Sequence, residues 1–246
     1  MQRHLQEVIE PGRDIRPVEK GIYSVLPPDV GQHGEHRYDR MAAFYDTVIG
    51  SPLYTRLVLG HLPRDHTIFA RDAVTRAGGR TCLDAGCGSF LFTARAYVGQ
   101  DTPIVGLDQS IEMLRRGRDR LKRLGGSLPE HVALVQGDLF DLPFRSASFG
   151  VAVGMGLLHA FDDDTVVGLV RSLDALVAPG GRLYLTSLVT NDRLGDRWLW
   201  WIHRSGEIVP PRSGEKLRAL LERAPGRLTS YALQGNMAFA TLAPGE

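Results

Sequence analysis

The residues that could do chemistry in this chain are carboxylates at the ends of apolar runs and the glycines that follow them. In TCLDAGCGSFLFTAR, residues 81–95, an apolar stretch ends at Asp84 and the chain turns through Gly86 and Gly88. A turn this tight needs glycines so that backbone can approach a ligand, and amides opening the next helix point toward negative charge. Twenty-two residues after Gly86, the stretch PIVGLD ends at Asp108. A carboxylate at such a strand tip can accept both hydroxyls of a ribose, so the two motifs together read as a nucleotide-type site. His159, closing the run SFGVAVGMGLLHA, has the ordinary pKa of a general base. It also reads as a histidine packed or hydrogen-bonded beside a ligand. Asp162, Asp163 and Asp164 read as the cap and first-turn charges of the next helix. Cys87, small and set between two glycines, reads as a backbone contributor rather than a nucleophile.

The elements that would hold these groups alternate in type. Apolar strands are expected over residues 80–85, 103–107, 132–135, 150–153 and 181–187, and helices over 89–98, 110–124 and 163–177. Strands alternating with helices of this length predict right-handed βαβ units and a parallel sheet. Along 110–124, Leu114, Gly117, Leu121 and Leu124 form one inward stripe, leaving Arg115, Arg116, Arg118, Lys122 and Arg123 as a solvated outer face. A last helix at 213–224 precedes two strand-like runs, 228–233 and 237–242, joined at Gln234, Gly235 and Asn236, which predicts a terminal antiparallel hairpin.

Upstream, residues 38–61 carry helical spacing broken at Gly50 and Pro52, giving two short helices, and a third is expected over 66–77, ending at Gly78 and Gly79. Residues 1–36 hold four prolines and four glycines without periodicity and read as an arm, mobile or laid across another surface, with little core of its own. Between 190 and 212 the sheet pattern stops and Trp198, Trp200 and Trp201 fall within four positions. They read equally as a cover over an apolar acceptor, as a lid packed on its own domain, or as a homodimer contact.

Composition narrows the function. The chain has 246 residues, enough for one enlarged domain, with 43% hydrophobic and 23% charged residues and a net charge of +1. That excludes a disordered or fibrous protein and gives no bulk field for nucleic acid or an anionic membrane. Two cysteines, Cys82 and Cys87, support neither a disulfide framework nor a metal site. No uninterrupted apolar segment opens the chain, and its longest apolar run is about eleven residues, short of the roughly 18 that a membrane span needs. A cytoplasmic protein with a small-molecule substrate, no nucleic acid partner and no membrane span is the expectation.

Taken in order, LDAGCGS, LDQSIEML, QGDLFDLPF, SFGVAVGMGLLHAFDD and the Pro179-Gly180-Gly181 turn resemble the motifs of class I S-adenosylmethionine-dependent methyltransferases, over about residues 38–242. The pattern is most similar to the small-molecule subgroup that includes ubiquinone and menaquinone methyltransferases. The resemblance implies a Rossmann-like, doubly wound α/β sheet of seven strands, mostly parallel with an antiparallel last strand, plus N-terminal helices. It divides the chain into the arm at 1–36, a helical cap at 37–79 and a cofactor-binding core at 80–246 with a lid at about 190–212.

It also implies roles for residues around S-adenosyl-L-methionine. Gly86, Cys87 and Gly88 would contact its methionine half through backbone, with Asp84 near its ammonium group. Asp108 would hold the ribose, Gln109 and Met113 would flank the adenine, and Asp138 and Leu139 would meet the adenine edge. Tyr38 and Tyr45 would close over the cofactor from the N-terminal helices. Tyr45 and Met113 also fall on apolar helical faces and read as core just as readily. Two positions depart from the family pattern. Phe90 stands where a third glycine is usual, and Gly150 where an Asp commonly precedes the fourth strand. They motivate a second reading, a homologue that binds the cofactor without catalysis. A third, a nicotinamide dehydrogenase, leaves Asp138 and Pro179-Gly180-Gly181 unexplained.

Overall fold

The computed structural model describes residues 2–27, 51–191, 193–206 and 208–245. Tyr38, Tyr45 and the first of the two short helices expected over 38–61 lie outside the described residues. Nine strands form one sheet in the order β1-β2-β5-β4-β3-β6-β7-β9-β8. The family's seven are β3 (Cys82–Ala85), β4 (Ile104–Asp108), β5 (Val132–Gln136), β6 (Phe149–Gly154), β7 (Val177–Leu188), β8 (Arg227–Gln234) and β9 (Met237–Ala243). β3 pairs in parallel with both β4 and β6, β4 with β5, and β6 with β7, while β9 runs antiparallel between β7 and β8. The chain steps outward from β3 to β5 and then returns to β6 on the other side. That reversal opens a crevice above the carboxyl ends of β3 and β6, where open α/β sheets bind ligands.

The other two strands come from the arm and correct the expectation for it. After the short helix α1 (Arg3–Val8), β1 (Arg16–Glu19) and β2 (Ile22–Ser24) make a hairpin through Gly21, and β2 pairs in parallel with β5. Leu5, Val8, Ile9 and Ile22 are buried, so the arm contributes core instead of lying mobile. Without it β5 would be an open edge, with unpaired amides and carbonyls available to another chain. Glu19 ties the hairpin to the outer face of the next helix through Arg115 and Arg118, which gives part of the expected basic face an intramolecular partner.

Side chains alternate across the central strands, which carry a separate core on each face. One face packs α3 (Pro63–Arg76), α4 (Ala94–Tyr97) and α5 (Ile111–Gly125) against Cys82, Ile104, Val132 and Val151. The other packs α1, α6 (Asp163–Leu176) and α8 (Gly214–Arg223) against Leu83, Val105, Ala133 and Ala152. α5, α6 and α8 begin as the sequence implies, with Ser110, Asp162 and Ser213 accepting from the amides of Met113, Thr165 and Lys216. On α5, Leu114, Gly117 and Leu121 face inward, whereas Leu124 is exposed. α2 (Pro52–Val58) and α7 (Arg193–Arg204) lie above the sheet and meet where Tyr54 packs edge-on against Trp198.

The helix expected over 89–98 is shorter than its sequence suggests. Phe90 has a positive φ of 51°, residues 89–93 form turns, and only Ala94–Tyr97 is helical. The ring is buried between β4 and α5, where Gly106 and Gly117 leave room: a Cβ on Gly117 would sit 2.9 Å from it, and one on Gly106 would overlap it. A T-shaped contact with Tyr97, at 5.6 Å, completes the nest. Left-handed backbone at a bulky residue is costly, and burial of a whole aromatic ring offsets it.

Candidate active site

Asp84 ends β3 inside the protein, 1% exposed. Its Oδ2 accepts from the Tyr97 hydroxyl at 2.7 Å and the Thr93 hydroxyl at 3.1 Å, while Oδ1 is buried without a partner among the described residues. Burial pushes the carboxyl up to about 7, opposed by those two hydroxyls, with a smaller upward push from Asp108. A buried, half-satisfied carboxylate at a strand tip is expensive unless a cationic donor completes it. Thr93 and Tyr97 carry no motif of their own; only their i,i+4 spacing on a helix could have linked them.

The turn after Asp84 has the geometry that its glycines allow. Gly86 and Gly88 both take positive φ, at 66° and 51°. A Cβ on Gly86 would lie 2.8 Å from Leu157 Cδ1 and 3.5 Å from Leu139 Cδ1, so two leucines from different loops converge there. Met113 approaches Gly88 from α5, its Cε 3.2 Å from where a Cβ would be. The Cys87 amide donates to the Leu107 carbonyl at 3.0 Å, and burial holds its thiol well above the ordinary value, which removes it as a nucleophile.

Asp108 joins the turn to the second strand. Its Oδ2 accepts from the Gly88 amide at 2.8 Å and its Oδ1 from the Ser110 amide at 2.9 Å. Gln136, which opens the QGDLFDLPF motif, bridges β5 to β4 by donating to the Gln109 carbonyl at 3.1 Å. Leu139 lies over Gly86, Met113 beside Gly88, and Asp138 at the end of β5 accepts from the Phe140 amide at 2.9 Å. Gln109 is exposed, and its side chain is not brought into this cluster.

His159 stands on the short turn Leu158–Ala160, beyond β6 and beneath the lid. Its Nδ1 accepts from the Leu188 amide at 3.5 Å. The ring keeps some accessible surface, yet burial first and the Arg212 guanidinium second hold it down to about 4. With Arg212, Leu188, Leu199, Ile208 and Val209 it lines a small cavity of about 10 Å³, room for roughly one water-sized group. Arg212 has no sequence signal: it follows two prolines and belongs to no periodic pattern. The segment expected to form a lid holds the helix α7, with Trp198 stacked on Trp201 at 4.8 Å and Trp200 and Trp201 exposed at 45% and 59%.

The two departures from the family pattern have packing causes. Phe90 lies in the core beneath the turn, so its ring does not fill the crevice. Gly150 sits near the opposite end of β6, where a Cβ would lie 2.7 Å from the Ala77 carbonyl oxygen. Any side chain there would collide with the end of α3.

A methyltransferase-domain family matches residues 82–181. The ubiquinone/menaquinone biosynthesis C-methyltransferase UbiE of Methylococcus capsulatus is 31% identical over 191 residues, which cover 65% of this chain and 73% of that protein. The demethylmenaquinone methyltransferase of Anoxybacillus flavithermus is 30% identical over 144 residues, covering 56% and 58%. Among solved structures, the 4+2 cyclase SpnF superposes with a TM-score of 0.67 at 18% identity, over 88% of this chain and 97% of its own. That likeness is one of fold alone. The relation to UbiE extends over most of that protein's length, and the strand order and turn described above are the framework it requires: this chain belongs to the class I S-adenosylmethionine-dependent methyltransferases.

Proposed function

We propose that this chain transfers a methyl group from S-adenosylmethionine to a small, apolar or aromatic acceptor bound beneath α7. The observation that carries the proposal is the buried Asp84 carboxylate with its unpartnered Oδ1, beside a left-handed Gly86–Gly88 turn. That pairing fits the cofactor's ammonium group and the close approach of its methionine half. Asp108, at the tip of the strand next to the turn, would accept the ribose hydroxyls. Leu139, Leu157 and Met113 would pack the nucleoside, and the Asp138 carboxylate would accept from the adenine amine. When bound, the cofactor supplies a methyl on a sulfonium, an already activated leaving group, so the protein has mainly to align the acceptor and exclude water. His159 and α7 would carry those tasks.

The names of the relatives point to quinol-type aromatic rings as the acceptors to try first. A small molecule suits the net charge of +1 better than nucleic acid does. No helix among the described residues is long and apolar enough to cross a membrane, and two free, buried thiols suit a reducing cytoplasm. Exposed Trp200 and Trp201 are where a homodimer contact would form. The reading as a binder without catalysis loses its motivation once Phe90 and Gly150 are accounted for by packing. A panel of naphthohydroquinones and phenols, incubated with methyl-labelled cofactor, tests the proposal: labelled product supports it, and tight cofactor binding with no product from any member would restore the non-catalytic reading.

A further inference from the structure

His159 is held by groups from two other elements. The Leu188 amide, at the end of β7, reaches its Nδ1. Arg212, on the return segment of the lid, grips the turn on both sides of the ring: Nη1 donates to the Leu158 carbonyl at 3.0 Å, and Nη2 donates to the Phe161 carbonyl. Its Nε lies 3.2 Å from Asp163 Oδ1, and the other oxygen of Asp163 holds Lys216 Nζ at 2.6 Å. A guanidinium 5% exposed and committed to two carbonyls and one carboxylate is a fixture.

The chemistry of the ring follows. A neutral imidazole has one N–H and one bare nitrogen. Leu188 donates to Nδ1, so Nδ1 is the bare one and Nε2 carries the proton. The charged groups around the ring are Arg212 itself, Asp163 already bound to Arg212 and Lys216, and Asp162, which caps α6 through Thr165. No free carboxylate among them favours a second proton, and the guanidinium opposes one. A ring whose bare nitrogen is turned to the backbone cannot take a proton from the acceptor; it can give a hydrogen bond. Of the two readings that the sequence allowed His159, a base and a hydrogen-bonding ring, this geometry favours the second.

We propose that His159 donates its Nε2–H to an oxygen of the acceptor, that Arg212 is the positioning residue that sets the ring, and that the acceptor therefore presents an anionic or carbonyl oxygen, as a phenolate, enolate or quinol monoanion does. This inference rests on the methyltransferase reading of the same site. The cavity beside His159 and Arg212 has the size of such an oxygen rather than of a ring. In the transfer, the acceptor loses its hydroxyl proton to water beforehand. An electron pair from its oxygen or its adjacent ring carbon then forms the bond to the methyl carbon as the carbon–sulfur pair returns to sulfur. The acceptor's negative charge and the sulfonium's positive charge cancel. Where carbon is attacked, water carries the hydrogen from that carbon to the oxygen as the phenol is restored.

Nitrogen-15 NMR of histidine-labelled, cofactor-free protein tests this directly, with His159 assigned through His159→Gln. The expected spectrum shows His159 as the Nε2–H tautomer, still neutral at pH 5. Arg212→Met should move its titration up, and Arg212→Lys, which restores the charge, should return it. With a naphthohydroquinone acceptor, Arg212→Met should lower kcat while cofactor affinity by calorimetry stays within twofold, and His159→Phe should cost about 10²-fold in kcat, as loss of an oxyanion donor does. A wild-type Nδ1–H tautomer, or a His159 titration unmoved in Arg212→Met, would overturn the proposal. Should Arg212→Met fail to fold, the wild-type tautomer and the titration in Asp163→Asn decide it. Failure of the parent protein to bind S-adenosylmethionine would sink the methyltransferase reading and leave the tautomer result standing, so the two failures are distinct.

Discussion

Replacing Asp84 with Asn separates what the fold favours from what the cofactor requires. In the cofactor-free protein burial raises this carboxyl to about 7, while in an unfolded chain it titrates near 3.9. The fold therefore favours the neutral acid. The resulting penalty is absent below about pH 4, grows as pH rises and is complete above about pH 7. About three units at 1.36 kcal/mol each sets a ceiling of roughly 4 kcal/mol. Asn keeps the shape without the charge, so Asp84→Asn should raise the unfolding free energy at pH 8 by about 2–4 kcal/mol and change it little at pH 4. The same substitution removes the anion that would face the cofactor's ammonium group. A charge-assisted hydrogen bond is worth about 1.5–3 kcal/mol, which converts to binding weaker by about 10- to 150-fold. Because the parent carboxyl is about half protonated at pH 7, pairing it with a cation should expel about half a proton. Denaturant titration at pH 4 and 8 reads the first effect, and calorimetry in buffers of different ionisation enthalpy reads the other two. A variant less stable than the parent at pH 8 that binds the cofactor equally well would refute the assignment, as would a binding enthalpy indifferent to buffer.

Two further outcomes follow from burial. His66, fully buried with both ring nitrogens unpartnered among the described residues and packed against His61, Phe92 and Phe239, is held down to about 3, first by burial and then by His61. The stability this neutral ring allows is complete above about pH 6.5 and is lost as pH falls below it, by about 2 kcal/mol at pH 5. His66→Phe should remove that share of the acid sensitivity, so urea midpoints at pH 5 and 7.5 that differ equally in parent and variant would count against it. In the arm, Leu5 is fully buried, and Leu5→Ala should cost about 2–5 kcal/mol. An unchanged urea midpoint would mean the arm is not part of the core.

The central strands were legible because each is apolar on both faces, with a carboxylate or a glycine at its end or just beside it, a pattern carried within five or six residues. The cap at Asp162 was legible too, and the helices expected from 110 and 213 begin at those residues, where Ser110 and Ser213 cap them. The arm was not legible because β1 and β2 are four- and three-residue strands that join the sheet at the edge of β5, more than a hundred residues away. Only Gly21 between two short β-prone runs marked the hairpin. The helix after Gly88 was overdrawn because the backbone at Phe90 is set by space left at Gly106 and Gly117, which no local pattern reports. In the site, Asp84, Gly86, Gly88 and Asp108 announce themselves by spacing. Thr93, Tyr97, Leu157 and Arg212 matter through contacts that only the folded chain creates.

Titration of S-adenosylmethionine into the parent protein and into Asp108→Ala, followed by calorimetry, tests the central claim most directly. Asp108 joins the Gly86–Gly88 turn to the second strand, so the parent should bind one equivalent of cofactor and the variant should bind at least tenfold more weakly. Equal affinities in the two proteins, or no binding by the parent, would contradict the placement of the cofactor in this crevice.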